Sequence, residues 1–254
     1  MKVTMLGCAT STGVPIVGCN CSVCVSDNPK NKRTRSSIFI QKNDINILID
    51  SSTDLRLQAL NNNITRINAV LYTHSHADHT HGIDDLRTFN FINRMEISCF
   101  GNELAVNNIK SNFKYVFDGV PSAGGKPRLI FSTINKKFKF ESVEIIPIDI
   151  NHANWIILGY RIGNMAYLTD CSGIPFESVK KLQNLDLLIL GSLRYSPHAA
   201  HFSVEQAIEV INMLKPKKAV LTHMGHELDY KILKKQLPKN IVPGYDGMKF
   251  NIKD

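Results

Sequence analysis

The chain has 254 residues, 43% of them hydrophobic, with 30 Lys+Arg against 22 Asp+Glu for a formal net charge of +8. That composition excludes a disordered chain, and the length suits one large domain whose core needs no disulfides. No apolar run reaches the roughly 18 residues of a spanning helix, and Met1–Gly7 meets a glycine before any signal-peptide core could form. A cytoplasmic protein without a membrane partner is expected.

Short apolar stretches bounded by Gly, Asn, Asp or Pro predict strands at Lys2–Gly7, Ile38–Gln41, Ile45–Asp50 and Ala69–Thr73. Amphipathic segments predict helices at Asp54–Asn61, Asp84–Phe91 and Glu103–Phe113. Further strands are expected at Lys139–Asp149, Trp155–Ile162, Met165–Thr169, Leu185–Leu190, Ala219–Thr222 and Met248–Ile252. Helices are expected at Pro175–Leu182, Ser203–Leu214 and Glu227–Leu237. Ser203–Leu214 is the clearest: Ser203 and Gln206 are spaced as a capping box, Ala207, Val210, Ile211 and Leu214 form one stripe, and Pro216 follows. Gly119–Pro127 reads as a loop, too short for a domain linker, so residues 1–254 form a single domain. Two strand clusters, each with its own helices, predict an α/β (α+β) architecture of two sheets packed face to face with helices outside.

The basic surplus would suit an anionic substrate, but it reads first as Lys and Arg coating the surface, with the run Lys30–Arg35 a solvated loop. Cys19, Cys21 and Cys24 cluster, whereas Cys8, Cys99 and Cys171 are scattered. In a reducing compartment clustered cysteines are metal ligands rather than disulfide partners. Three thiolates are one short of a tetrahedral zinc shell, so a fourth ligand must come from elsewhere.

After the strand at Ala69–Thr73 comes His74-Ser75-His76-Ala77-Asp78-His79. On a helix His76 would point away from His74 and Asp78, and on a strand His79 would point away from the other three. A loop at the strand end lets all four converge, on one metal or two. His152, Asp170 and His223 each stand at the end of another predicted strand. Such mixed nitrogen and oxygen donors suit Zn²⁺, Mn²⁺ or Fe²⁺ better than Ca²⁺.

The His74–His79 pattern resembles the H-x-H-x-D-H signature of the metallo-β-lactamase superfamily. Gly7–Cys24, Tyr72–Arg87, Leu168–Pro175, His198–Ala207 and Leu221–Tyr230 are most similar to its phosphoribosyl cyclic phosphate phosphodiesterase (PhnP-like) branch. The resemblance implies a four-layer αββα sandwich and a dinuclear centre of Mn²⁺ or Zn²⁺. His74, His76 and His152 would hold one ion, Asp78, His79 and His223 the other, and Asp170 both. It also implies that Asp50 orients a ligand histidine, that His226 completes a structural Zn²⁺ site with Cys19, Cys21 and Cys24, and that His201 donates a proton. The expected reaction is hydrolysis of a small anionic, cyclic phosphodiester by water activated between the two ions, with Asp78 helping to orient that water. A transfer-RNA 3′-processing endonuclease, with a nucleic-acid partner, is the second reading. A metal-binding protein of low hydrolytic activity, like the PQQ-biosynthesis branch, is the third. A homodimer is an expectation from the resemblance alone.

Overall fold

The computed structural model describes residues 1–120 and 123–253. Its strands are β1 (Lys2–Gly7), β2 (Ser37–Lys42), β3 (Ile45–Ile49), β4 (Ala69–Leu71), β5 (Ile97–Gly101), β6 (Leu129–Thr133) and β7 (Phe138–Phe140). They continue with β8 (Val143–His152), β9 (Trp155–Ile162), β10 (Met165–Leu168), β11 (Leu187–Gly191), β12 (Lys218–Thr222), β13 (Ile241–Pro243) and β14 (Lys249–Asn251). One sheet runs β14-β1-β2-β3-β4-β5-β6 and the other β13-β12-β11-β10-β9-β8-β7. Each is antiparallel in one half and parallel in the other, β3 to β6 in the first and β10 to β13 in the second.

Side-chain alternation explains the layering. Ile38 and Ile40, Ile47 and Ile49, and Ala69 and Leu71 turn toward the second sheet, where they join Ile148, Ile150, Ile157, Tyr167 and Leu190 in one buried core. Phe39, Leu48 and Val70 point the other way, into a second core with Leu55, Leu86, Phe89 and Ile109 from the covering helices. With both faces covered, these strands are apolar along their whole length. Each fully buried Ile or Leu contributes about 1.5–3 kcal/mol.

The helices are α1 (Leu55–Asn61), α2 (Ala77–Thr80), α3 (Leu86–Asn93), α4 (Glu103–Asn112), α5 (Lys114–Phe117), α6 (Phe176–Lys180), α7 (Val204–Leu214) and α8 (Tyr230–Gln236). The Ser203–Gln206 capping box opens α7, and Lys215 in the left-handed region closes it before Pro216. The predicted strand Lys139–Asp149 is instead a hairpin of β7 and β8, turned at Glu141 with φ 52°. The predicted helix from Glu227 begins at Tyr230, because Asp229 caps the amides of Lys231 and Ile232. Strands β5, β6 and β13 escape the sequence reading, being short and interrupted by Ser98, Ser132 and Pro243. Residues 121–122 of the expected Gly119–Pro127 loop lie outside the described residues. Among the described residues no helix is long and apolar enough to cross a membrane.

Candidate metal centres

Three strands of the parallel halves lead directly into residues whose backbone turns left-handed: Asp50 (φ 63°) after β3, Asp170 (φ 52°) beyond β10 and His223 (φ 55°) after β12. Non-glycine residues adopt this region at a cost of about 1–2 kcal/mol, which packing must over-determine. All three side chains are buried.

The histidine motif leaves β4 at the same sheet edge. His74 and His76 lie on an irregular stretch, whereas Asp78 and His79 belong to the helical turn α2. The expected all-loop segment is thus divided, and the turn is what swings Asp78 and His79 toward the second group of ligands. His79 N and Thr80 Oγ1 both donate to the His76 carbonyl, fixing that turn.

Ligand atoms of His74, His76 and His152 lie within 4.8 Å of one another, as do those of Asp78, His79, Asp170 and His223. His74 Nε2 is 3.0 Å from His76 Nδ1. Asp170 stands between the groups: Oδ1 is 3.2 Å from His79 Nε2, and Oδ2 is 3.2 Å from His223 Nε2 and 3.9 Å from His74 Nε2. Asp78 Oδ2 is 3.2 Å from His79 Nε2 and 3.6 Å from His223 Nε2.

The rings are oriented from behind. His79 Nδ1 donates to Asp50 Oδ2 at 2.7 Å, and Asp50 also accepts from Thr73 N and Thr73 Oγ1. Because Thr73 Oγ1 gives its proton to Asp50, it accepts from His74 Nδ1 at 3.0 Å. His152 Nδ1 donates to the Ala200 carbonyl at 3.0 Å. In each case the opposite nitrogen, Nε2, is the one turned into the cluster, the atom a bound cation would take. His79 Nε2 and both ring nitrogens of His223 are buried without a hydrogen-bond partner. Buried, unbonded nitrogens facing two carboxylates are what a cation requires, so the residues fit a metal.

Burial works to raise Asp170 and Asp78, yet the charges of His223 and His79 on the first and of His79 on the second hold both below the usual carboxylate range. Burial likewise works to lower His79, but Asp170, Asp78 and Asp50 hold it well above the ordinary histidine value. Burial depresses His74 and takes His201 down to about 3, with the charge of His223 second. His201 Nδ1 is 3.9 Å from Asp170 Oδ2, and its ring stacks on His223 at 4.9 Å. His198 sits farther out, 5.1 Å from His201 between ring centroids, and His81 packs edge-on against Phe113.

A second cluster joins distant parts of the chain. His226 Nδ1 is 3.3, 3.4 and 3.6 Å from the sulfurs of Cys19, Cys21 and Cys24. Ile16 N donates to Cys24 Sγ and Cys24 N to Cys21 Sγ. The latter bond leads the lowering of the Cys21 thiol to about 6, whereas burial pushes Cys24 up to about 11. No disulfide forms among these cysteines, and the three sulfurs and one imidazole fit a closed tetrahedral ion. The His226 loop is tied back to the N-terminal segment by Met224 N donating to Cys8 O, and by Arg33 donating to the carbonyls of Gly225 and Leu228.

Sequence reasoning missed Thr73, the Ala200 carbonyl and Arg33. Thr73 adjoins the motif and was legible by position; a backbone carbonyl leaves no sequence signal, and Arg33 lay hidden in a basic run that read as solvated.

Residues 45–224 match the family model of the β-lactamase superfamily domain. A solved structure described as a new diphosphatase from the PhnP family superimposes with a TM-score of 0.93 at 35% identity, covering 99% of this chain and 98% of that one. The chain belongs to the PhnP-like branch of the metallo-β-lactamase superfamily. It is built as a single domain of two sheets with helices. Zinc-bound PqqB from Methylobacterium extorquens shares the fold, with a TM-score of 0.80 at 17% identity over 99% of this chain and all of that one. A Porphyromonas gingivalis protein named octanoyltransferase is 38% identical over 253 residues, 98% of this chain. The chain spans about half the length of that curated relative, 51%.

Proposed function

We propose that this PhnP-like hydrolase cleaves a small cyclic phosphodiester at a centre for two divalent ions, with a separate structural zinc. The carrying observation is the Asp170 carboxylate between two ligand groups, His74, His76 and His152 on one side and Asp78, His79 and His223 on the other. Mn²⁺ or Zn²⁺ suits these donors. When bound, such ions supply an activated water and positive charge for the phosphoryl oxygens.

The chain's own residues do the rest. His74, His79 and His152 present Nε2 because Thr73, Asp50 and Ala200 hold the opposite nitrogen. Asp78, turned inward by α2, would orient the attacking water through its carboxylate. His201 would pass a ring proton to the leaving oxygen. Burial works against the charged form of that ring, and the Asp170 carboxylate 3.9 Å away works for it. General-acid help of this kind contributes about 10²–10⁴-fold. Cys19, Cys21, Cys24 and His226 would hold the structural zinc, which suits a reducing, cytoplasmic setting.

The second reading, a transfer-RNA 3′-processing endonuclease, draws on the +8 charge. Against it, the basic groups near the Gly119–Pro127 loop are engaged internally: Lys126 with Asp118, Arg87 with Asp84, Arg128 with the Asn90 carbonyl. Acyl transfer finds no support in the lone cysteines: Cys8, Cys99 and Cys171 are buried, and burial pushes Cys171 up to about 12. The test is hydrolysis by Mn²⁺-loaded protein of a 1,2-cyclic ribose phosphate, a 2′,3′-cyclic nucleotide and a precursor transfer RNA side by side. Cleavage of the cyclic substrates is expected; cleavage of the RNA alone would move the endonuclease first.

A further inference from the structure

Two side chains beside the ligand cluster have no part in the chemistry above. Trp155 and Ile156 open β9 and are 41% and 50% exposed, whereas residues 157–160 behind them are buried. Consecutive strand residues face opposite sides of a sheet, so exposure of both means that the hairpin end projects beyond it. The projection is braced. His152 pairs with Trp155 across the turn, Ala153 N donates to Ser172 Oγ at 3.1 Å, and Asn102 Nδ2 donates to the Ile156 carbonyl at 3.2 Å. The indole lies 5.2 Å from the His76 ring, tilted by 39°, and His76 lies 5.2 Å from His152. The chain's single tryptophan is therefore fixed, half open, and in direct ring contact with the ligand candidate His76.

We propose that Trp155 is the platform on which the base of a small nucleotide substrate stacks. This rests on the phosphodiester reading above and narrows it from sugar phosphates in general to nucleoside phosphates. The indole packs directly on the ring of His76, one of the ligand candidates, so the base of a nucleotide whose phosphoryl group enters the cluster is the group placed to meet it. A nucleobase offers a flat π-face to the indole and a polar edge to its surroundings. Amides border the same rim, Asn102 on Ile156 and Asn108 with Nδ2 donating to Ser75 Oγ at 3.1 Å. A bare sugar phosphate leaves the indole in water.

The single tryptophan makes the test direct. Zinc-loaded protein is titrated with AMP and with ribose 5-phosphate, which differ only in the base, following tryptophan fluorescence and, in parallel, heat of binding. AMP is expected to change the emission saturably and to bind about 5- to 150-fold tighter, the range of base–aromatic stacking. Trp155→Ala is expected to bind both ligands equally, and Trp155→Phe to keep most of the preference. Equal affinities in the wild type, or a preference surviving Trp155→Ala, would overturn the platform. An oligoadenylate that binds where AMP does not would also overturn it, in favour of RNA. Turnover of 1,2-cyclic ribose phosphate and 2′,3′-cyclic AMP, measured on the same samples, separates the two readings. Turnover without base preference sinks the platform alone; no turnover of either substrate sinks the phosphodiester reading and the platform with it.

Discussion

His79 Nδ1 donates to Asp50 Oδ2 at 2.7 Å, with both side chains fully buried. One carboxylate thereby fixes the tautomer of a candidate metal ligand and, through Thr73 Oγ1, the orientation of a second, His74. An amide nitrogen at this position would face the His79 N–H with a donor and drive its proton to Nε2. Asp50→Asn is therefore expected to weaken metal binding at the Asp78–His79–His223 group about 10- to 100-fold. Competition against a chelating dye measures it; unchanged affinity would remove the orienting role.

His201 lies beside Asp170 and His223, outside the two main ligand groups, although its ring nitrogen also falls within 4.8 Å of ligand atoms of His152 and Asp170. His201→Ala should keep the wild-type metal content and lose about 10²–10⁴-fold in turnover. Elemental analysis on the assayed sample is the check, and loss of metal would assign His201 to the ligands instead.

The Cys19–Cys21–Cys24–His226 cluster spans more than 200 residues of sequence, so an ion there cross-links the chain. Mild chelation should strip the Asp170 centre and leave one zinc per chain. In Cys24→Ser that zinc should be lost and Tm should fall by roughly 5–10 °C, as expected for a few kcal/mol in a chain of this size. No retained zinc in the wild type would contradict the assignment.

Thr34 donates to Asp246 Oδ2 from N at 2.7 Å and from Oγ1 at 2.6 Å, and Cys8 Sγ is 3.5 Å from Oδ1. Burial pushes this carboxyl up to about 6, against the Thr34 donors. A folded pKa above the unfolded value near 3.8 means that the native state binds the proton more tightly. The contribution of this group to stability is therefore greatest below about pH 4, declines as pH rises through about 6, and is constant beyond. In Asp246→Asn the amide oxygen can take the Thr34 donors and the nitrogen can turn to Cys8, so this decline should vanish. Urea midpoints of both proteins at about pH 4 and pH 7 test it; a difference between them that does not change with pH would contradict it.

Much of the fold and nearly all ligand candidates were legible because they carry local signals: Ala207, Val210, Ile211 and Leu214 repeat with helical period, and the motif from His74 to His79 is dense. What local pattern could not supply was direction. That Asp50, Asp170 and His223 turn left-handed is decided by packing at the sheet edge, in a region that Asp and His enter more readily than most residues but that no local pattern announces. The division of the motif between an extended stretch and the turn α2 has the same origin, since only tertiary contacts decide which ligands face which group. Strand β5, Ile-Ser-Cys-Phe-Gly, is held by pairing between β4 and β6 rather than by its own sequence.

The account depends most on Asp170 as the carboxylate shared by both ligand groups. The most direct test measures turnover of a 1,2-cyclic ribose phosphate and exchangeable metal on the same samples of wild type and Asp170→Ala. Two exchangeable ions and turnover in the wild type, with both lost in the variant, are the predicted result. Turnover that survives in Asp170→Ala, or in wild-type protein stripped of exchangeable metal, would contradict it.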